Sequence, residues 1–386
     1  MNIRSFFIKL KLLYPLQPLL FRKGENKVKK AVIIGAGQTG RGFVAPILNE
    51  NNYSITFLDE NISLINKLKN EKKYTIHYFG NTKPSEEIKN FEAFPINDEE
   101  AMQRLIDSDV VITSVFSGHL VELIPYLKKA GNKRQNPLVI ICCENGVNVK
   151  KPLVDAHLNA IITEGIIFCT TLKPHKDSLD LLSEAIDNIP IDGNVSGLEL
   201  DINRMPLDNN FAQLIQRKIY TYNFMSAVIA YLGWYKHYEI YAEAAADEEI
   251  SLIIESVKPI VSSVIAKEYA ISYEEQLAFT QRAIDKFKNK EIFDTIYRNA
   301  RQSKRKLGEN ERLLSPLKYA QKYGSDTRYF DLIIAAATLY AVKEETENIE
   351  TLWKDLNAGD DIDMIKKAYM SFENGCSIVD TLKKLV

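Results

Sequence analysis

The chain has 386 residues, a formal net charge of −2, 46% hydrophobic residues and 26% charged residues. This length is too great for one comfortable core and predicts two domains of an ordinary globular protein. The near-neutral charge, with no Lys/Arg stripe among aromatic residues, argues against nucleic-acid binding, and no run of ~18 apolar residues predicts a membrane span. Four cysteines without metal-ligand or disulfide spacing favour a cytoplasmic location: Cys142, Cys143, Cys169 and Cys376.

The first 28 residues form a basic and apolar stretch that must be weighed as a signal peptide. Pro15 and Pro18 interrupt its apolar part, and no small-residue cleavage site follows. We therefore predict an N-terminal extension, with a membrane-surface helix as the alternative.

A glycine turn is the strongest motif in the chain. It follows the apolar run of residues 31–34, precedes an amphipathic segment, and reads Gly35, Ala36, Gly37, Gln38, Thr39 and Gly40. Gly35 permits the tight turn, Gly37 lets the backbone approach a pyrophosphate, and Gly40 allows close packing of helix and strand. The amide groups at the helix N-terminus would face the phosphates, which predicts a dinucleotide site rather than an ordinary turn.

Asp59 ends the next β-rich run, at about the ~20-residue spacing expected of the ribose-binding acid. Its carboxylate can accept hydrogen bonds from a ribose 2′-hydroxyl and would repel a 2′-phosphate. The neighbours Glu60 and Asn61 supply no arginine, so NAD is the predicted cofactor rather than NADP.

Further alternation of helical and β patterns predicts a doubly wound sheet. Helices are predicted at 62–68, 101–105 and 120–129, and strands at 74–79, 109–115, 138–142, 161–172 and 197–202. Val115 ends one buried strand and should lie in the cofactor crevice. Asn145 follows another strand in a polar turn, where it is either a turn-former or a functional residue.

The pattern changes near Arg204, and from Phe211 onward the sequence shows long helical patterns with no further β-rich alternation. The predicted fold class is therefore α/β, with an N-terminal Rossmann-type doubly wound sheet over residues 29–208 and a mainly α-helical C-terminal domain over residues 209–386. The cleft between the two domains is the expected substrate site.

The start of the helical part carries a family resemblance. It contains Lys218, then Asn223 and Ser226, followed by Ala230-Tyr231-Leu232-Gly233. With the GAGxxGRGF stretch and with spaced motifs at residues 241–250, 287–298 and 305–316, this pattern resembles the long-chain polyol (mannitol) dehydrogenases over roughly residues 30–340.

The resemblance implies an NAD-dependent oxidoreductase that acts on a sugar alcohol or sugar phosphate. Lys218 matches the family's general acid/base, and Asn145 and Asn223 match the pair that holds the substrate oxygen. Burial would bring the pKa of a lysine towards the working pH, and two amide groups would stabilise charge on the oxygen. At about 100° per residue, one helix face can present Lys218, Asn223 and Ser226.

Two positions depart from the family pattern. Ser226 stands where the family has histidine, and Asn203-Arg204 stands where it has Asp-Arg. Ser226 is therefore a catalytic candidate without a titratable group, and Asn203 and Arg204 are substrate-binding candidates. These departures keep two alternatives open: a catalytically degenerate NAD-binding sensor or partner protein, and a hexuronate reductase of the same fold.

A basic cluster near residue 300 could bind an anionic group of the substrate. Arg301 and Arg305 are its principal candidates, and a solvated helix face is the competing interpretation. The histidines are too scattered for a zinc set, so no metal is predicted. The expected partner is a small sugar alcohol or sugar phosphate, and the sequence leaves monomer and dimer open.

Overall fold

A computed structural model describes residues 28–385. The predicted N-terminal extension therefore lies, apart from Val28, outside the described residues. No helix within the described part of the chain is both long and apolar enough to cross a bilayer.

The first half of the chain alternates strands and helices. The strands are β1 (Lys30–Ile34), β2 (Ser54–Asp59), β3 (Lys73–Tyr78), β4 (Glu86–Lys89), β5 (Glu92–Pro95), β6 (Val110–Thr113), β7 (Leu138–Cys142), β8 (Ala160–Glu164), β9 (Thr171–Leu172), β10 (Leu181–Ser183), β11 (Ile191–Asp192) and β12 (Leu207–Asp208). The helices are α1 (Ala45–Glu50), α2 (Ile62–Glu71), α3 (Glu99–Asp107), α4 (Leu120–Gly131) and α5 (Lys151–Asp155). A π-helical turn, Gly40–Val44, leads into α1.

Six parallel strands form the main sheet in the order β5-β2-β1-β6-β7-β8. Alternate residues of β1 enter two different cores: Ile33 packs on one face of the sheet and Ile34 on the other. A strand that is buried on both faces can be apolar at every position, which explains its unbroken apolar sequence. The strand order reverses between β1 and β6, so the crevice at their carboxyl ends is the site where ligands bind in such sheets.

Two smaller sheets flank the main one. One has the order β4-β3-β10-β9, and the other pairs β11 with β12. The predicted strand at 197–202 is wrong, because residue 197 belongs to a turn and residues 198–202 are irregular backbone. The predicted strand at 161–172 is two short strands, β8 and β9, separated by the irregular residues 166–170.

The second half of the described chain is helical. Its helices are α6 (Phe211–Lys218), α7 (Phe224–Tyr235), α8 (Tyr241–Ala245), α9 (Glu248–Tyr269), α10 (Tyr273–Lys288), α11 (Ile296–Ala300), α12 (Ser303–Lys306), α13 (Leu314–Lys322), α14 (Arg328–Glu344), α15 (Ile349–Asp355), α16 (Ile362–Glu373) and α17 (Ile378–Lys384). A second π-helical turn, Ile219–Asn223, joins α6 to α7. The predicted fold class is confirmed, and we propose residue 208 as the boundary between the two domains.

The longest helix, α9, begins at a well-defined cap. The Asp247 carboxylate accepts hydrogen bonds from the backbone amides of Glu249 and Ile250, and it also pairs with Lys236 at 2.6 Å. These contacts satisfy free amides at the helix start and place negative charge at the positive end of the helix dipole. One face of α9 then packs in the helical core with α14.

Asp331 is a buried carboxyl group in the first turns of α14. Its side chain is 1% exposed, and neither oxygen accepts a hydrogen bond from a described residue. The nearby Thr327 hydroxyl donates instead to Asp361 at 2.9 Å. Burial, together with the charges of Asp361 and Asp326, raises the pKa of Asp331 from 3.8 to about 8. Asp331 therefore binds its proton more tightly in the folded state than in the unfolded state.

We predict that Asp331→Asn stabilises the protein at neutral pH. The contribution of Asp331 to stability is fully present below pH 3.8 and is lost as the pH rises towards about 8. The gain in melting temperature should therefore grow from pH 5 to pH 8 and then level off. At neutral pH, the free energy of unfolding should increase by about 1–3 kcal/mol. Thermal unfolding across this range measures it, with the exposed Asp363→Asn as control. A gain that does not change with pH would contradict the prediction.

Candidate functional site

The glycine turn has the geometry that its sequence predicts. Gly35 has a φ of +100°, and a Cβ there would lie 2.3 Å from the carbonyl oxygen of Ser114. A Cβ on Gly40 would lie 2.2 Å from the carbonyl oxygen of Gly35. A Cβ on Gly37 would meet no atom within 4 Å. The first and third glycines are thus required by the fold, whereas Gly37 faces open space that a ligand can approach closely.

Gln38 and Thr39 begin the helix after Gly37, and both are half-buried. The helix then widens into the π turn, where the amide of Ala45 donates to the carbonyl of Gly40. The free amides of this first turn provide an anion-binding end close to the open space at Gly37.

Asp59 ties the end of β2 to the glycine turn. One carboxylate oxygen accepts the amide of Ala36 at 2.7 Å, and the other accepts the amide of Asn61 at 2.8 Å. The side chain is half-buried, so each oxygen keeps lone pairs for a further donor. Asp59 is therefore held where a ribose hydroxyl could reach it.

Val115 and Glu144 close the crevice on the other side of the turn. The Val115 side chain would lie 3.2 Å from a Cβ on Gly35, and its amide donates to the Glu144 carboxylate at 3.1 Å. Glu144 also accepts the Thr113 hydroxyl at 3.0 Å. Burial raises the pKa of Glu144 to about 7. This acid links the loop after β6 to the loop after β7, which carries Asn145.

Lys218 lies where the two halves of the chain meet. Its ammonium group donates to Asn145 Oδ1 at 2.8 Å and to the carbonyl oxygen of Ile167 at 2.6 Å. The group also lies 5.4 Å from the centre of the Phe168 ring. The structure therefore brings Lys218 and Asn145 together, as the sequence predicts.

The charge state of Lys218 follows from these surroundings. Burial lowers the pKa of Lys218 to about 7, and the positive charges of Lys286 and Arg312 act in the same direction. No carboxylate forms an ion pair with it among the described residues. The neutral amine can therefore be substantially populated near neutral pH, where an exposed lysine remains protonated.

The π turn after Lys218 positions Asn223. The amide of Phe224 donates to the carbonyl of Ile219, five residues earlier. A π turn holds more residues per turn than an α-helix, so Asn223, five residues after Lys218, lies nearer to the Lys218 side of the helix than α-helical spacing would place it. Asn223 and Ser226 are half-buried, and neither side chain forms a hydrogen bond with another described residue.

Two buried cations lie beside this region. Burial and the charges of Arg312 and Arg305 lower the pKa of Lys306 to about 7. Arg312 is also largely buried; its only ion-pair partner among the described residues is Glu311, at 3.4 Å. Because Arg312 acts on the pKa of both Lys218 and Lys306, the three cations share one region.

The two predicted anion-binding arginines lie further out. Arg301 is exposed and has no side-chain hydrogen bond to a described residue. Arg305 is 52% exposed and pairs with Glu311. The structure therefore places Lys306 and Arg312 in the interior and Arg305 at its rim.

Asn203 and Arg204 are not brought to Lys218. Asn203 exchanges hydrogen bonds with Asn51, and Arg204 pairs with Glu50 at 2.8 Å while donating to the carbonyl oxygens of Ile186 and Asp187. Asn51 follows α1, roughly 15 Å along the helix from the glycine turn. The contacts of both residues are structural, and neither residue belongs to the site that we propose.

Sequence reasoning missed three participants. Glu144 follows a buried strand directly, which is a usable signal for a residue in the crevice. Lys286 and the carbonyl of Ile167 carry no such signal, because only the folded chain brings residues 166–170 to the helical domain.

Comparison with protein families agrees with this geometry. Residues 29–172 match the family model of the mannitol dehydrogenase Rossmann domain, and residues 210–375 match that of the mannitol dehydrogenase C-terminal domain.

Similar proteins extend over most of the chain. A mannitol-1-phosphate 5-dehydrogenase of Thermoanaerobacter pseudethanolicus is 28% identical over 82% of this chain and 87% of its own. One from Buchnera aphidicola subsp. Acyrthosiphon pisum is 30% identical over 83% of this chain and 89% of its own.

Solved structures share the fold. A Pseudomonas fluorescens mannitol 2-dehydrogenase, in a ternary complex with NAD and D-mannitol, has a TM-score of 0.72 at 14% identity and covers 93% of this chain and 94% of its own. A D-sorbitol dehydrogenase has a TM-score of 0.69 at 13% identity and covers 94% of each chain. The chain belongs to the mannitol dehydrogenase family.

Proposed function

We propose that this chain is an NAD-dependent dehydrogenase that transfers a hydride between the nicotinamide and a phosphorylated sugar alcohol. The single observation that carries the proposal is the buried amine of Lys218, with a pKa of about 7, bound to Asn145 at the carboxyl end of the nucleotide-binding sheet. Family membership and the name of the relatives, mannitol-1-phosphate 5-dehydrogenase, support the same reaction.

The residues of the glycine turn fit NAD. Gly37 leaves space for a pyrophosphate beside the free amides of the first helical turn, and Asp59 can accept a hydrogen bond from a ribose hydroxyl. Gly35, Ala36, Gln38, Thr39, Gly40 and Val115 complete this cofactor site in our proposal. When bound, NAD supplies the hydride acceptor or donor, and the protein supplies orientation and proton transfer.

Lys218 can take the alcohol proton without losing its own contacts. A neutral amine has two N–H groups and one lone pair, and Asn145 Oδ1 and the Ile167 carbonyl accept the two N–H groups. The lone pair is then directed away from these partners and is free for the substrate hydroxyl. In the reverse direction, the ammonium returns the proton to the carbonyl oxygen.

Asn223 has the freedom to hold the substrate oxygen. Its side chain has no hydrogen bond to a described residue, although the π turn brings it towards the Lys218 side of the helix. An amide N–H aimed at the substrate oxygen would stabilise the charge that develops there. Asn145, whose oxygen is engaged by Lys218, keeps its own NH₂ group for the same purpose.

Lys306, Arg312 and Arg305 are the groups that we assign to the substrate phosphate. Lys306 is buried and donates to the carbonyl oxygen of Asn299 rather than to a carboxylate, and Arg312, 15% exposed, pairs with Glu311 at 3.4 Å. Shielded positive charge with so little compensation is costly. A doubly charged phosphate would offset that cost, whereas an uncharged polyol would not. This charge balance favours a sugar phosphate over a free sugar alcohol or a singly charged hexuronate.

The first prediction from the proposed function concerns the cofactor. NADH should bind more tightly than NADPH because the Asp59 carboxylate repels a 2′-phosphate. Asp59→Ala should weaken NADH binding by the ~1.5–3 kcal/mol of a charge-assisted hydrogen bond and weaken NADPH binding less. Fluorescence titration measures both, with the exposed Glu60→Ala as control. Equal affinities in the unsubstituted protein would mean that Asp59 does not face the ribose.

The second prediction concerns proton transfer. Polyol oxidation requires the neutral amine of Lys218, so kcat/KM should rise as the pH passes through about 7; ketone reduction requires the ammonium and should fall over the same range. Lys218→Ala should lower activity at least ~10²-fold while NADH binding is retained. The full pH profiles in both directions provide the measurement.

Two outcomes would count against this assignment of Lys218. Activity indifferent to Lys218→Ala would place the acid/base elsewhere. Normal NADH binding without turnover of any sugar, sugar phosphate or hexuronate would favour the sensor alternative.

The third prediction concerns the phosphate. Arg312→Gln and Arg305→Ala should each lower kcat/KM for mannitol 1-phosphate, by an amount that corresponds to a loss of about 1–3 kcal/mol of transition-state stabilisation. The value of kcat/KM for mannitol should change much less. The ratio of the two substrates at one pH removes any common effect through Lys218. Lys304→Gln, which alters an exposed lysine paired with Glu347, is the control. An equal decrease of kcat/KM for both substrates would indicate that Arg312 and Arg305 have only a structural role.

A further inference from the structure

A second lysine is anchored beside Lys218. Lys286, near the end of α10, donates to the carbonyl oxygen of Phe168 at 2.7 Å. Lys218 donates to the carbonyl oxygen of Ile167, the preceding residue. Two lysines from different helices therefore hold adjacent peptide groups in the irregular residues 166–170.

Glu184 completes the arrangement from the sheet domain. Its carboxylate forms an ion pair with Lys286 at 2.7 Å and accepts the amide of Thr170. The side chains of Lys286 and Glu184 are only 16% and 14% exposed. An ion pair that is shielded in this way is screened less by salt than an exposed pair, and it is geometrically constrained by its extra hydrogen bonds.

We propose that the Lys286–Glu184 pair is a positioning device that holds residues 166–170, and with them the Ile167 carbonyl, against the Lys218 amine. The inference rests on the proposed acid/base role of Lys218. Neither Lys286 nor Glu184 is assigned a contact with the substrate. Their effect passes through the Ile167 and Phe168 peptide groups and through the electric field at the Lys218 amine.

The charges around Lys218 determine the direction in which each partner of the pair shifts the pKa of Lys218. Four neighbouring segments present polar or charged groups to the amine: Asn145 from the loop after β7, the Ile167 carbonyl from residues 166–170, Lys286 from α10 and Arg312 from the segment before α13. Lys286 and Arg312 both favour the neutral amine, and Glu184 partly offsets the charge of Lys286. Changing one partner of the pair must therefore move the pKa of Lys218 in the direction opposite to changing the other.

The experiment uses three variants of the full-length chain: Lys286→Met, Glu184→Gln and the double variant. Lys286→Met removes a positive charge and leaves Glu184 unpaired, so the pKa of Lys218 should rise. Glu184→Gln leaves Lys286 uncompensated, so the pKa of Lys218 should fall. The double variant should lie between the two. Lys288→Met is the matched control, because Lys288 is on the same helix and its nearest carboxylate is that of Glu255, at 4.0 Å.

Two readouts separate this inference from the proposed function. The pH dependence of polyol oxidation reports the pKa of Lys218 during turnover, and the acid limb should shift to higher pH in Lys286→Met and to lower pH in Glu184→Gln. NMR titration of isotope-labelled lysine, with Lys218→Met to assign the resonance, reports the same pKa without any turnover. Opposite shifts by NMR in a protein that lacks dehydrogenase activity would support the pair while the proposed function failed.

The outcomes that overturn the inference are equally distinct. Shifts in the same direction in both single variants, or losses of activity with an unchanged pKa of Lys218, would show that the pair is only a structural contact. Circular dichroism and NADH affinity confirm that each variant is folded. If Lys286→Met fails to fold, Lys286→Gln with Glu184→Gln tests the same opposite signs.

Discussion

The structure depends on accommodating one amine, that of Lys218, in a buried site. Burying a lysine is costly unless its N–H groups are bonded, and the helical domain alone does not supply the acceptors. They come from the sheet domain: the Asn145 side chain and the Ile167 carbonyl. The same two hydrogen bonds therefore join the two halves of the chain and hold the Lys218 amine. Breaking either would leave a buried polar group unsatisfied and would also change the base.

Residues 166–170 show how this requirement shapes the backbone. Ile166 and Ile167 are buried apolar residues, so the sequence favours a strand there. In the structure, the Ile167 and Phe168 carbonyls accept lysine side chains instead of strand amides. Those peptide groups are satisfied without a neighbouring strand, as buried backbone must be. The irregular segment between β8 and β9 is thus a place where the helical domain contacts the sheet domain.

Much of the fold and site could be read from the sequence, because local patterns determine them. Glycines around Gly37, the acid at Asp59 and the unbroken apolar run of β1 each report a constraint within a few residues. Three features depend on tertiary contacts, so the sequence did not reveal them. They are the π turn that ends at Asn223, the irregular backbone of residues 197–202 and the partners of Arg204. In the basic cluster, sequence alone could not separate the buried Lys306 from the exposed Arg301.

The same contacts explain why the two departures from the family pattern need not remove catalysis. Asn203 is bound to Asn51 at the end of α1, and it is not one of the groups that bind the Lys218 amine. Ser226 supplies no titratable group, yet burial and two neighbouring cations already bring the pKa of Lys218 to about 7. A histidine would add a further partner for the substrate oxygen, whereas the proton acceptor that we propose is Lys218. If Lys218 is the base, as we propose, burial and the charges of Lys286 and Arg312 are what lower its pKa, and a serine at position 226 leaves those causes intact.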